Sequence, residues 1–133
     1  MNKKFLISVV VMFFLSMALG FLVHGFLLVQ EYSKLTGVFR SQEDQANHFP
    51  FMLLAHVFIA YGFAWIYVKG KEDKPFLTQG ICYGVAIAVL TTIPTYLIYF
   101  AVQPMPGVIV LKQIVFDTMG VVSMGIVVAW LNR

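Results

Sequence analysis

The sequence predicts an all-α integral membrane protein: four transmembrane helices in an up-down bundle, with both termini in the cytoplasm. Three observations predict it. Of 133 residues, 60% are hydrophobic and 11% are charged, whereas an ordinary soluble domain is about 25% charged. The mean hydropathy is +0.86. The apolar residues fall in four runs, each near the roughly 20 residues that cross a bilayer, and none shows the period-two alternation of a barrel strand. This composition excludes a soluble domain, a disordered tail and a nucleic-acid-binding domain. It leaves room for one membrane domain over residues 1–133 and none for a soluble catalytic domain.

The first run begins after Met1-Asn2-Lys3-Lys4. That start resembles a signal peptide, and Ala18-Leu19-Gly20 offers small residues at a cleavage-like spacing. The run continues through Phe21-Leu22-Val23 and Gly25 to Val29, interrupted only by His24. A signal h-region is about 7–15 residues long, so the expectation is a retained first span over residues 5–30.

A polar outer loop, residues 31–49, follows with Glu31, Lys34, Arg40, Glu43 and Asp44. The second span is expected over 50–68, with Pro50 in its first turn, where a missing N–H costs nothing. Residues 69–75 form a short charged loop. The third span covers 76–102, and Pro94 predicts a kink within it. Thr91, Thr92 and Thr95 stand ready to satisfy freed backbone groups. The turn Gln103-Pro104-Met105-Pro106-Gly107 separates it from the fourth span, 108–131.

Orientation follows from the basic residues. Lys3, Lys4, Lys69, Lys71, Lys74 and Arg133 fall on one side, and only Lys34 and Arg40 in the loops of the other. The positive-inside rule places the first group in the cytoplasm. The start Met-Asn-Lys-Lys suggests a bacterial protein, so the expected location is the bacterial inner membrane. Trp65, Tyr67 and Trp130 are expected at the cytoplasmic interface and Tyr32 at the outer one. The net charge of +3 thus reports sidedness and not a nucleic-acid partner. The single cysteine, Cys82, excludes an internal disulfide and reads as a small buried hydrophobe.

Small residues recur at Gly80, Gly84 and Ala88, at Ala60 and Ala64, and at Gly120 and Gly125. They allow close helix approach, either within the bundle or in a dimer.

Polar groups inside the spans are expensive and carry the functional signal. They are His24, His56, Tyr61, Tyr96, Tyr99, Lys112, Gln113 and Asp117. His24 and His56 each lie about six residues from the outer end of their span, about 9 Å deep at 1.5 Å per residue. They are expected to face each other. Gln113, Asp117, Gly120 and Met124 recur on one face, which marks the inner face of the fourth span. The cytoplasmic half is expected to be almost purely apolar. The candidate site is therefore His24, His56, Tyr96, Gln113 and Asp117, with Glu31, Tyr32 and Arg40 in the outer loop.

Three readings of this cluster compete. It locks the bundle structurally. It ligates haem b through His24 and His56. Or it holds a small molecule or a proton, since a carboxylate beside histidines exchanges protons near neutral pH. A histidine-based zinc site is weaker, because its third ligand must be taken from Asp117 or His48. Lys112 is expected to snorkel to the outer headgroups. It sits five residues from Asp117 and on another face of the helix. His48 reads as a solvated loop residue.

No phosphate loop, Gly-x-Ser-x-Gly elbow or His-Glu-x-x-His motif is present, so no catalytic residue is assigned. Small multidrug exporters depend on a glutamate within the first span, where this chain has His24, and Glu31 lies only at its edge.

The stretch Leu22-Val23-His24-Gly25-Phe26-Leu27-Leu28-Val29-Gln30-Glu31-Tyr32, then Val38-Phe39-Arg40, resembles a conserved-hypothetical family of small four-helix bacterial membrane proteins. Tyr99-Phe100-Ala101-Val102-Gln103-Pro104-Met105-Pro106-Gly107 is similar to the same family's third turn. The resemblance implies the four-span layout and highlights His24, Tyr32, Arg40 and the Pro-Met-Pro-Gly turn. It implies no activity. A salt bridge between Arg40 and Glu31 is expected to fold the outer loop over the bundle.

The leading expectation is a non-enzymatic inner-membrane protein. It would act as an accessory or assembly subunit of a membrane complex, or as a small binding protein, with the lipid bilayer and a homo-oligomer or larger complex as partners and no cofactor. The alternative is an intramembrane small-molecule, proton or haem b site formed by His24, His56, Tyr96 and Asp117.

Overall fold

The apolar runs become helices because a helix satisfies its own backbone hydrogen bonds where no water can. A computed structural model describes residues 2–133, and no strand forms among them. Helix α1 (Lys3–Gly20) starts where the Asn2 side chain accepts a hydrogen bond from the Lys4 N–H at 3.1 Å. It runs on as a π-helical segment, Phe21–Leu27, in which each turn holds one extra residue. The Leu28 N–H accordingly reaches the Val23 carbonyl at 2.9 Å. The helix breaks at Leu28, whose φ and ψ are −106° and 0°. The first long helix therefore ends three residues short of the expected Gln30.

The expected outer loop is partly helical. It holds α2 (Val29–Ser33) and α3 (Gln42–Asn47). Gly37, at φ +77°, supplies a turn between them that side chains rarely adopt. Ser41 caps α3 by accepting from the Asp44 N–H at 3.2 Å. Helix α4 (Phe49–Gly70) follows with Pro50 in its first turn. Helix α5 (Phe76–Ile87) passes through a second π segment, Ala88–Thr92, into α6 (Ile93–Val102). The π segment lies just before Pro94, where the kink was expected. Thr91 Oγ1 donates to the Ile87 carbonyl at 2.8 Å. Helix α7 (Gly107–Leu131) closes the chain. Four helical stretches are long and apolar enough to cross a membrane: Lys3–Leu27, Phe49–Gly70, Phe76–Val102 and Gly107–Leu131.

Close backbone packing pairs α5 with α7. A Cβ added to Gly80 would lie 2.6 Å from Ile126 Cα, and one on Gly84 2.5 Å from Val122 Cα. One on Gly125 would run into the Gly80 carbonyl oxygen. The small-residue faces of these two helices are thus used inside the chain. Helix α1 packs on α4 and α7. Met12, Ala60, Phe63, Ala64, Tyr67, Met124, Val128 and Ala129 form the buried core.

Three expectations fail at the end that carries Lys4, Lys71 and Arg133. This half is not purely apolar. Asn132 Nδ2 donates to Ser8 Oγ at 2.8 Å with both residues buried. Lys4 Nζ donates to the Arg133 carbonyl at 3.1 Å, and Lys71 Nζ bonds the Asn132 carbonyl. Tyr67 is buried and not part of an interfacial belt, because its ring packs edge-on against Tyr83 at 5.2 Å. Cys82 is exposed, because Gly80 and Gly84 take the inner face of α5.

Candidate functional site

Helices α4 and α5 meet through Tyr83, whose hydroxyl donates to the Phe63 carbonyl at 2.6 Å. The Tyr83 ring also packs edge-on against Phe63 at 4.9 Å. Between α1, α4, α6 and α7 lies a cavity of about 520 Å³. Phe58, Gly62 and Phe63 line one wall, and Leu90, Thr95 and Tyr99 the other. Phe58 is 68% exposed and Leu90 71% exposed, so the cavity opens sideways between α4 and α6. Both π segments border it, through Val23 and His24 and through Leu90, Thr91 and Thr92. Such turns are frequent at functional sites.

The cavity ends on a polar cluster. Asp117 projects from α7, one turn beyond Gln113. The Asp117 carboxylate receives two hydrogen bonds on one oxygen. His24 Nε2 lies 3.0 Å from Oδ2, and the Tyr96 hydroxyl donates to the same atom. The Tyr96 oxygen is also 3.2 Å from His24 Nε2. Tyr32 turns inward from α2, and its hydroxyl lies 2.7 Å from His24 Nδ1. Gln113 Nε2 donates to that hydroxyl at 2.9 Å. The Tyr32 and His24 rings stack with centroids 5.9 Å apart.

The directions of these bonds follow from proton counting. The Tyr32 hydroxyl accepts from Gln113, so its single proton goes to His24 Nδ1. Burial pushes the Tyr32 phenol up from its ordinary value and keeps that proton in place. A neutral His24 ring then carries its proton on Nε2, directed at Asp117. This tautomer is assigned from the network. Every bond in the chain Gln113, Tyr32, His24, Asp117 points toward the carboxylate.

Of the five expected cluster residues, His24, Tyr96, Gln113 and Asp117 come together, and His56 does not. His56 Nδ1 bonds Ser16 Oγ at 2.9 Å, and its ring edge faces Gly20. Ser16 precedes His24 by eight residues, about 12 Å of helix rise. The matched depths failed because the first helix ends at Leu27, which leaves His24 three residues from its end while His56 lies seven beyond Phe49.

The two imidazoles are therefore not presented to one space. His24 lines the cavity and His56 does not, and both His24 nitrogens are already bonded. This arrangement does not fit bis-histidine haem. Among the described residues, no three His, Cys, Asp or Glu side chains are placed to hold a metal ion.

Residues 31–49 also differ from expectation. Glu31 pairs with Lys112 at 2.6 Å, and Arg40 with Asp44 at 2.8 Å. Arg40 and Asp44 are four residues apart across the start of α3, which makes the local pair the shorter reach. The Lys112 ammonium holds the Glu31 carboxyl below its ordinary value, and the Arg40 guanidinium does the same for Asp44. His48, expected as a solvated loop residue, lies half-exposed in the turn between α3 and α4, where it bonds the Asp44 carbonyl at 2.7 Å. Tyr61 lies outside the cluster and packs edge-on against Phe5.

Sequence reasoning missed Ser16 as a partner for His56, and it missed the cavity. Ser16, Gly20 and His24 recur every four residues on one helix face, so the polar stripe was readable. The cavity was not, because it depends on how far α4 and α6 diverge. Gln113 Oε1 and Thr118 Oγ1 are buried without a partner among the described residues.

Comparison with known proteins supplies no further assignment: no family model, curated protein or solved structure matches this chain.

Proposed function

We propose that this chain is a small-molecule binding protein of the bacterial inner membrane. It takes a largely apolar ligand sideways from the lipid into the cleft between α4 and α6. One observation carries the reading: apolar walls enclose about 520 Å³ and end on the hydrogen-bonded cluster of His24, Tyr96 and Asp117. Ligand sites are concave and mostly apolar, with a few convergent polar groups. An ionisable group at membrane depth is a functional candidate by default. The basic residues support placing the termini and residues 69–75 in the cytoplasm, with the cluster near the outer face.

The accessory-subunit reading leaned partly on small-residue faces free for lateral packing. Gly80, Gly84 and Gly125 are spent inside the chain, so the binding reading takes precedence. A homo-oligomer or larger complex stays compatible with it.

Gly62 gives the test. It lines the cavity, and a Cβ there would meet nothing within 4 Å. Gly62→Trp should fill the cleft without disturbing the fold. Protein extracted in native lipid discs should carry an apolar molecule, seen by mass spectrometry, that Gly62→Trp lacks. Identical extracts from the two proteins would count against the reading.

A further inference from the structure

Asp117 is a carboxylate facing the cavity with no Lys or Arg beside it. His24 is its one ion-pair partner within 4.0 Å among the described residues. Lys112 lies on another face of α7 and is held by Glu31 at 2.6 Å. No Lys or Arg lines the cavity. Both donors from the protein fall on Oδ2, and among the described residues none reaches Oδ1. A carboxylate in an apolar cleft is costly, and a cationic head beside the open Oδ1 relieves that cost.

From this juxtaposition we infer that the ligand of the cleft is a lipophilic ammonium, an apolar body with a primary or secondary amine head, and that Asp117 Oδ1 is its counter-ion. This rests on the binding reading above and adds the chemistry of the head. The walls agree with it. Phe58, Phe63, Tyr96 and Tyr99 border the same space, and aromatic faces attract a cation, more strongly where water is excluded. An anionic head would meet Asp117 with no Lys or Arg in the cavity to offset it. A neutral alcohol can donate to Oδ1 but leaves the charge uncompensated. The Tyr32–His24 chain adds donors on the far side of the carboxylate, which holds its orientation toward the cleft.

The experiment is a binding assay in zwitterionic lipid nanodiscs, with empty discs as baseline. Tritiated dodecylamine is the probe, and dodecanol and dodecanoate are competitors of equal chain length. Dodecylamine should bind at least about tenfold more tightly than dodecanol, which corresponds to about 1.4 kcal/mol, and dodecanoate should not compete. Asp117→Asn should bring the amine down to the alcohol's affinity and leave the alcohol unchanged. The amine-to-alcohol ratio in the unmodified protein needs no variant, so a poorly folding Asp117→Asn does not block the test. Equal binding of amine and alcohol, both abolished by Gly62→Trp, overturns the ammonium and keeps the cleft. No binding above empty discs overturns both.

Discussion

His24 Nε2 lies 3.0 Å from Asp117 Oδ2, a contact between residues 93 positions apart that ties the first long helix to the last. Tyr96 donates to the same oxygen from the third. Removing the shared acceptor leaves His24 Nε2 and the Tyr96 hydroxyl, 3.2 Å apart, with only each other. Asp117→Ala should therefore destabilise the fold by about 1–2 kcal/mol, at the low end for charged hydrogen bonds because the unfolded chain finds partners in the membrane too. Asp117→Asn, which keeps an acceptor oxygen, should cost less. Thermal unfolding of both variants in mild detergent checks the order.

Tyr32 holds the His24 tautomer. Tyr32→Phe removes the donor to Nδ1 and the acceptor of Gln113, for a loss of about 1 kcal/mol. Nitrogen NMR of labelled histidine should show His24 protonated on Nε2 in the unmodified protein. In Tyr32→Phe the Nδ1 shift should move. An Nδ1-protonated ring in the unmodified protein would contradict the assigned bond directions.

Glu31 and Lys112 join α2 to α7, and their pair predicts a pH dependence. Lys112 lowers the folded-state value of Glu31 from 4.5. A lowered carboxyl value contributes stability that is fully present above the unfolded value and lost as pH falls through the folded one. The α2 contact should hold at neutral pH and loosen only well into acid, below 4.5. Amide exchange of Val29–Ser33, compared with Glu31→Gln at each pH, measures this. The difference between the two proteins should shrink in acid.

Glycines at the α5–α7 contact and at the cavity should respond in opposite ways. A Cβ on Gly84 would lie 2.5 Å from Val122 backbone, whereas one on Gly62 has free space. Gly84→Ala should cost about 1–3 kcal/mol through overpacking. Gly62→Ala should be neutral or slightly stabilising, since alanine is the better helix former. Melting temperatures of the pair test this.

The arrangement of the histidines also predicts optical behaviour. His24 is bonded at both ring nitrogens, and His56 sits on Ser16 outside the cavity. A reduced-minus-oxidised spectrum of protein extracted from its own membrane should show no Soret shift. Sharp α and β bands would require His24 to give up one of its two bonds and to share one space with His56.

The sequence by itself determined the four spans, the proline-bounded turns and the inner face of α7. These are local properties: hydropathy over about 20 residues, missing N–H groups, and helical spacing. It also singled out Tyr96, Gln113 and Asp117, because an intramembrane polar group is costly wherever it sits, and the structure joins them through His24 and Tyr32. Only the tertiary structure decided which of them meet. Glycine contacts between α5 and α7 set how the helices are rotated. The π segment and the break at Leu28 set the depth of His24 and let Tyr32 turn inward. Those features moved His56 onto Ser16, gave Glu31 to Lys112 instead of Arg40, and opened the cleft between α4 and α6. Depth and rotation are set by packing between residues far apart in the chain, so no local pattern carries them.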